Sequence, residues 1–363
     1  MQTIAILISD ISRSAGTERA VVNLCNCLVE RTDNHVYIIS VYSKSDNQLF
    51  YKIDDRVKVI HLGYSYFEGR FKRCMDYFEL RNQIKGIIKE NNIQVILGTI
   101  HAYNILLSTL KGIKRIGCEH LNYFSCPTLV RPLRRLAYRK LDFVVLLTQQ
   151  DASHYGFLNP EKICVIPNIS SFESVEEAQL SAHKIIMVGR FAVQKGYDIL
   201  IDIISKIKHR MQDWTIDIYG QGQERALIEK RIKEDDLQKI IKIHSPVSNI
   251  RDKMLDSSIY LMTSRNEGLP MVLIEAQSCG LPIVAFDCPE GPREIVTDNV
   301  NGFLVENFDS DLLGDRIIEL IENSDKRKEF GLGAINSAKR FTPDAVIARW
   351  TELFIKTRDM NNV

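Results

Sequence analysis

The chain has 363 residues, a length that suits two domains of the usual ~100 to 200 residues each. Hydrophobic residues make up 45 % and charged residues 26 %, ordinary for a globular protein, which excludes a disordered or fibrous chain. With 47 basic against 46 acidic residues the net charge is +1, so no global field draws it to nucleic acid and a charged partner must be met by a local patch.

The first residues, MQTIAILISDISRSAG, hold a short apolar run with no basic region before it, which does not fit a signal peptide. No apolar stretch approaches the ~18 to 20 residues of a membrane span, so the expected location is the cytoplasm. TIAILIS (3–9), HVYIISVY (35–42), VKVIHL (57–62), QVILGTI (94–100), RIGCEH (115–120) and DFVVLLT (142–148) read as strands of a buried parallel sheet. Amphipathic segments at 17–31, 75–90 and 131–140 alternate with them, the signature of βαβ crossovers.

After CVIPN (164–168) a polar, acidic stretch, 169–183, shows no strand pattern and reads as a linker. The rhythm restarts at KIIMVGR (184–190) and continues through TIDIYG (215–220), IKIHS (241–245), SIYLMTS (258–264) and PIVAFD (282–287). The expected fold class is therefore α/β: one Rossmann-like domain over 1–168 and a second over 184–341. A last helix over 342–358 carries Trp350 and Phe354 on one stripe and is expected to pack back on the first domain.

The eight cysteines include no C-x-x-C pair, and Cys25 and Cys27 sit inside the apolar run AVVNLCNCLVE, so they read as reduced thiols filling space. The eight histidines show no H-x3-H spacing, and no metal is expected.

The chemistry concentrates in SRNEGLPMVLIEAQSCGLPIVAFDCPEGPREIV (264–296), where seven residues separate Glu267 from Glu275. SIYLMTS runs up a strand, Arg265 to Gly268 form the loop at its carboxyl end, and a helix follows with Pro270 in its first turn, Glu275 about two turns in and Gly280 as its stop. Ligands of open α/β sheets bind at such ends. The helix N-terminus suits a phosphate, while ionised carboxylates accept hydrogen bonds from hydroxyls such as those of ribose and sugar. The competing reading is a capping glutamate beside a solvated one. GRFAVQKG (189–196) favours the site, because it puts Arg190 and Lys195 at the matching end of the second domain's first strand, as a diphosphate clamp would need.

GRF…QKG, YGQGQE (219–224) and SRNEGLPMVLIEAQSCGLPIV together resemble the retaining glycosyltransferases of family 4, most strongly over 184–306. The resemblance implies the GT-B fold, two facing Rossmann-like domains with a cleft between them. It implies that Arg190 and Lys195 bind the donor diphosphate, that Glu275 holds ribose hydroxyls, and that Glu267 contacts the donor sugar near the reacting carbon. The backbone over Gly268, Leu269, Met271 and Leu273 would cradle phosphate and sugar. From the first half, Gly16 in SRSAGTERAVVNL would approach the diphosphate, although relatives often have two adjacent glycines where this chain has Ala15-Gly16. His120 in CEHLNYF (118–124) would stand near the donor sugar, with Glu119 and His101 as candidates on the acceptor side. Asp309-Ser310-Asp311 reads D-x-D but precedes a helix and is expected to cap it.

The implied reaction moves a hexose or N-acetylhexosamine from a UDP-sugar to a glycan or lipid-linked acceptor in envelope polysaccharide synthesis, with no metal and no cofactor beyond the donor. A sugar-nucleotide epimerase of the same architecture and a non-catalytic glycan-binding subunit are the alternatives. Two basic stretches, 68–78 and LVRPLRRLAYRKL (129–141), are either solvated faces or docking sites for an anionic bilayer; in the second the candidates are Arg131, Arg134, Arg135, Arg139 and Lys140.

Overall fold

A computed structural model describes residues 1–65, 70–172 and 176–359, without the side chains of 70–76 and 307. The chain divides into two compact units, residues 1–169 with 343–363, and residues 170–342.

In the first unit the chain runs β1 (Thr3–Ile8), α1 (Gly16–Arg31), β2 (His35–Ser40), β3 (Lys58–His61), α2 (Arg70–Glu90), β4 (Val95–Gly98) and α3 (His101–Leu107). It continues β5 (Lys114–Glu119), α4 (Arg131–Tyr138), β6 (Phe143–Leu146), α5 (Gln149–Ser153) and β7 (Ile163–Val165). The seven strands pair in parallel in the order β3-β2-β1-β4-β5-β6-β7. Helices cover both faces, which is why the strands are apolar on both sides. In β1, Ile4, Ile6 and Ile8 join the core under α1, while Ala5 and Leu7 join the opposite core with Leu80 and Ile84 of α2.

The second unit runs β8 (Lys184–Val188), α6 (Tyr197–Ile207), β9 (Thr215–Tyr219), α7 (Arg225–Glu234), β10 (Ile241–His244), α8 (Ile250–Leu255) and β11 (Ile259–Met262). Then follow α9 (Met271–Ser278), β12 (Ile283–Phe286), α10 (Pro292–Ile295), β13 (Gly302–Val305), α11 (Ser310–Glu322) and α12 (Ser324–Ala338). Its six parallel strands lie in the order β10-β9-β8-β11-β12-β13. In both sheets the order reverses beside the first strand, as in Rossmann folds. The last helix, α13 (Pro343–Asp359), belongs to the first unit, where Trp350, Leu353 and Phe354 are buried against the core of β1 and α1.

Several expectations need adjusting. The stretch 169–183 is no free linker: Ser170 N–H donates to the Phe341 carbonyl, its hydroxyl lies 3.0 Å from that of Ser278, and Ala178 N–H donates to Cys279 O at 2.9 Å. Those contacts tie its described residues from 170 on to the second unit, while Ile169 belongs to the core of the first. Two further strands, β7 with three residues and β13 with four, were not among those expected. Part of the basic stretch 68–78 lies outside the described residues. Asp309 does cap α11, accepting from Leu312 N–H at 2.9 Å.

Candidate active site

In the second unit the chain leaves β8, passes Arg190 and makes a short 3-10 turn over Val193–Lys195. Gly196, at φ 67°, then starts α6. A side chain at 196 would collide with the Thr263 carbonyl, so only glycine lets this turn lie against the end of β11. Several bonds fasten the turn to the 263–267 loop. Thr263 Oγ1 donates to Lys195 O at 3.1 Å, Arg265 N–H to Gln194 O at 2.7 Å, and Gln194 Nε2 to Asn266 O at 2.8 Å. Arg265 also grips Asp198 with both Nη atoms, at 2.8 and 2.6 Å, and donates to Val193 O. Hydrogen bonding from Arg265 holds the Asp198 carboxyl below the usual range.

This bracing brings Lys195 Nζ to 2.7 Å from Glu267 Oε1. The Glu267 side chain is only 8 % exposed, and that of Lys195 21 %. Arg190, exposed on the same loop, forms no ion pair among the described residues. Behind Glu267, Gly268 and Leu269 lead into α9, which is capped by Pro270 with no side-chain cap, so its first N–H groups remain for a ligand. Pro270 is thus the residue before the helix, and Glu275 stands a little over one turn into it, not two. Glu275, Met271 and Leu273 are buried. Gly291, at φ 96°, backs this loop: a Cβ there would strike the Gly268 carbonyl oxygen and Pro270.

In the first unit Gly16 is exposed as the first residue of α1, with nothing within 4 Å of where its Cβ would lie. His120, just beyond β5, is half-buried, and burial pushes its imidazole pKa down to about 4. Beside it lies a small pocket lined by Thr99, Cys118, Val145, Asn168 and Trp350 among others. His101 opens α3, half-buried, its pKa lowered by burial and then by the charge of Arg134.

The Glycosyl transferases group 1 profile matches residues 171–337, and that of Glycosyltransferase Family 4 matches residues 14–169. The amylovoran biosynthesis glycosyltransferase AmsD of Erwinia amylovora is 30 % identical over 97 % of this chain and 99 % of its own. The chain belongs to the group 1, family 4 glycosyltransferases. A Campylobacter jejuni transferase, named as adding α-1,4-N-acetyl-D-galactosamine to a diNAcBac-PP-undecaprenol-linked saccharide, is 25 % identical over 99 % of this chain and all of its own. The Anabaena protein HepE, crystallised with UDP, superposes with a TM-score of 0.79 at 16 % identity, over 98 % of this chain and all of that one. The fold of this glycosyltransferase is GT-B.

Two candidates of the glycosyltransferase change meaning. The Glu119 carboxylate is not positioned for an acceptor: it is buried, accepts from the Tyr138 hydroxyl, and lies 3.4 Å from Asn104 Nδ2, which also donates to Tyr138 Oη at 2.9 Å. Burial pushes its pKa up to about 7 against the Tyr138 bond, which lowers it. Arg134 is 1 % exposed and cannot meet a bilayer. Its Nη1 donates to Tyr123 O at 3.1 Å and its guanidinium lies 3.9 Å from the centre of the Tyr123 ring.

What sequence reading missed is the brace, Thr263, Arg265 and Asp198. Arg265 was visible in the loop, but its partner lies 67 positions away, and nothing local pairs them. The described cysteines form no disulfide, and among the described residues no cluster of three or more His, Cys, Asp or Glu could hold a metal. Among the described residues no helix is long and apolar enough to cross a membrane.

Proposed function

We propose that this glycosyltransferase moves a hexose or N-acetylhexosamine from a UDP-sugar, with retention at the anomeric carbon, to a hydroxyl of a glycan or lipid-linked oligosaccharide in envelope polysaccharide synthesis. The observation that carries the reading is the ion pair between the half-buried Lys195 and the buried Glu267, 2.7 Å apart, beside an uncapped helix N-terminus. Lys195 and Arg190 take the diphosphate, and the first N–H groups of α9 add to them. Charge that builds on the departing diphosphate is met by groups already in place, so no metal is required of the mechanism. Glu275 accepts from ribose hydroxyls. Glu267 orients Lys195 and accepts from a donor-sugar hydroxyl near the reacting carbon. The bond from that carbon to the diphosphate breaks as the acceptor oxygen bonds on the same face, and the acceptor proton leaves with the phosphate oxygen.

The relatives support the substrate classes: one is named for amylovoran biosynthesis, one for an undecaprenol-linked acceptor, and HepE was crystallised with UDP. A lipid-linked acceptor puts the reaction at the cytoplasmic face of an anionic membrane. The test is a thermal-shift titration with UDP, GDP and ADP. A ligand that binds only the folded state at 100 times its Kd adds about 2.7 kcal/mol. Selective stabilisation by UDP is expected. Preference for another nucleotide overturns the donor assignment, and an inverted anomeric product by NMR overturns retention.

A further inference from the structure

We propose that the surface formed by residues 121–140 of the first unit is a docking face for an anionic lipid surface. Leu129, Leu133 and Leu136 enter the headgroup layer, and Arg135, Arg139 and Lys140 meet lipid phosphates. The inference is independent of the donor and of the transfer reaction.

One side of α4 is packed into the first unit. Arg134, Ala137 and Tyr138 are buried, and Arg134 is pinned by the Tyr123 carbonyl and ring, so the helix cannot turn about its axis. At 100° per residue, Leu136 then falls on the opposite side and Leu133 on the flank next to it, while Leu129 sits in the 3-10 turn Thr128–Val130 that leads into α4. Leu133, Leu136 and Leu129 are 54, 60 and 93 % exposed, and Leu121 and Phe124 are exposed nearby in sequence. Single exposed leucines are ordinary, but five large apolar side chains within sixteen positions, left in water by a segment whose other side is well packed, are not scatter.

Charge says what covers them. Arg135, Arg139 and Lys140 are exposed in the same segment, and Arg131 is half-exposed, holding the Phe124 and Cys126 carbonyls. From Leu121 to Leu141 there is no aspartate or glutamate, so nothing local neutralises these cations. A second copy of the chain docked by a two-fold axis would press this basic face against itself, which like charge opposes. An anionic bilayer offers phosphates to the cations and an apolar layer to the leucines at once. Since no helix among the described residues can span a membrane, such attachment is peripheral.

The test is co-sedimentation of the full chain with vesicles of phosphatidylcholine alone and of phosphatidylcholine with one-third phosphatidylglycerol. Binding is expected only to the second. R135Q/R139Q/K140Q lowers it roughly 100-fold, about fivefold per charge. L129S/L133S/L136S abolishes the part that survives high salt. Both variants are expected to keep the wild-type melting temperature, because the altered side chains are exposed. Equal or absent binding of wild type to the two vesicle types overturns the proposal, as does wild-type binding by both variants. So does a wild-type dimer that the leucine variant converts to monomer, which would assign the face to a second copy.

Discussion

Lys195 and Glu267 are an ion pair in which the carboxylate is almost fully withdrawn from water and the ammonium is not. That asymmetry sets what each substitution does. Lys195→Met leaves a buried carboxylate unpaired, so we expect a loss of about 2 kcal/mol in stability together with a weakened UDP response. Glu267→Gln leaves an ammonium that still reaches solvent, so melting should change little while turnover falls about 100-fold or more. The two variants thus separate folding from chemistry, and equal losses of stability in both would refute the assigned roles. Glu119 and His120 follow opposite pH rules. The Glu119 carboxyl titrates near 7 when folded against an ordinary 4.5, so the folded state holds the extra proton between them. Its favourable contribution is complete below about 4.5 and is lost as pH rises through 7, so wild-type stability should fall over that window relative to Glu119→Gln. His120 is depressed to about 4 from 6.5, so its contribution is complete above 6.5 and is lost as pH falls through 4. An imidazole midpoint near 6.5 by NMR would contradict that. These neighbours also show where sequence reading of the site stops. The strand pattern put both at the end of β5, but adjacent residues of a strand face opposite sides. Cys118 and His120 share the cavity side and Glu119 turns to Tyr138, so the period of two already forbade placing both in one site.

At the scale of elements, the site depends on turns that only glycine can make. Gly291→Ala would drive a methyl into the Gly268 carbonyl oxygen while forcing alanine to φ 96°, so the Glu267–Gly268 loop must shift. The expected result is lower activity and a lost UDP shift, with the β sheet signal by circular dichroism retained; unchanged kinetics would show that this backing is dispensable. The strand–loop–helix order around Glu267 was legible because β11 is a continuous apolar run and Gly280 ends α9 at φ 75°. The role of Arg134 was not. An arginine in a basic run reads as surface, and only the pairing of α4 with Tyr123, eleven residues earlier, turns it inward. β13 escaped notice because it opens on a glycine after Asn-Val-Asn and offers only three apolar residues, and it takes its identity from pairing with β12.

At the scale of the whole molecule, the restart of the βα rhythm made two units legible, and the apolar stripe of the last helix indicated that it had to pack. Which residues it meets depended on the three-dimensional core, where Trp350 and Phe354 lie 5.6 Å apart. Trp350→Ala should cost about 3 to 5 kcal/mol, felt in the first unit alone. Calorimetry of the variant is then expected to show one transition lowered and a second, that of residues 170–342, unmoved and still responsive to UDP. A single transition that drops as a whole would mean that the units do not unfold independently. The same division orders events at birth. The first unit is written in two pieces, 1–169 and 343–363, with the whole second unit between them. A ribosome adding about 5 to 20 residues per second needs roughly 10 to 35 seconds to cross those intervening residues. Throughout that interval the α1 face of the first sheet lacks Val346, Trp350 and Phe354, while the second unit, continuous in sequence, can close as soon as it emerges. The second unit is therefore finished before the unit that precedes it.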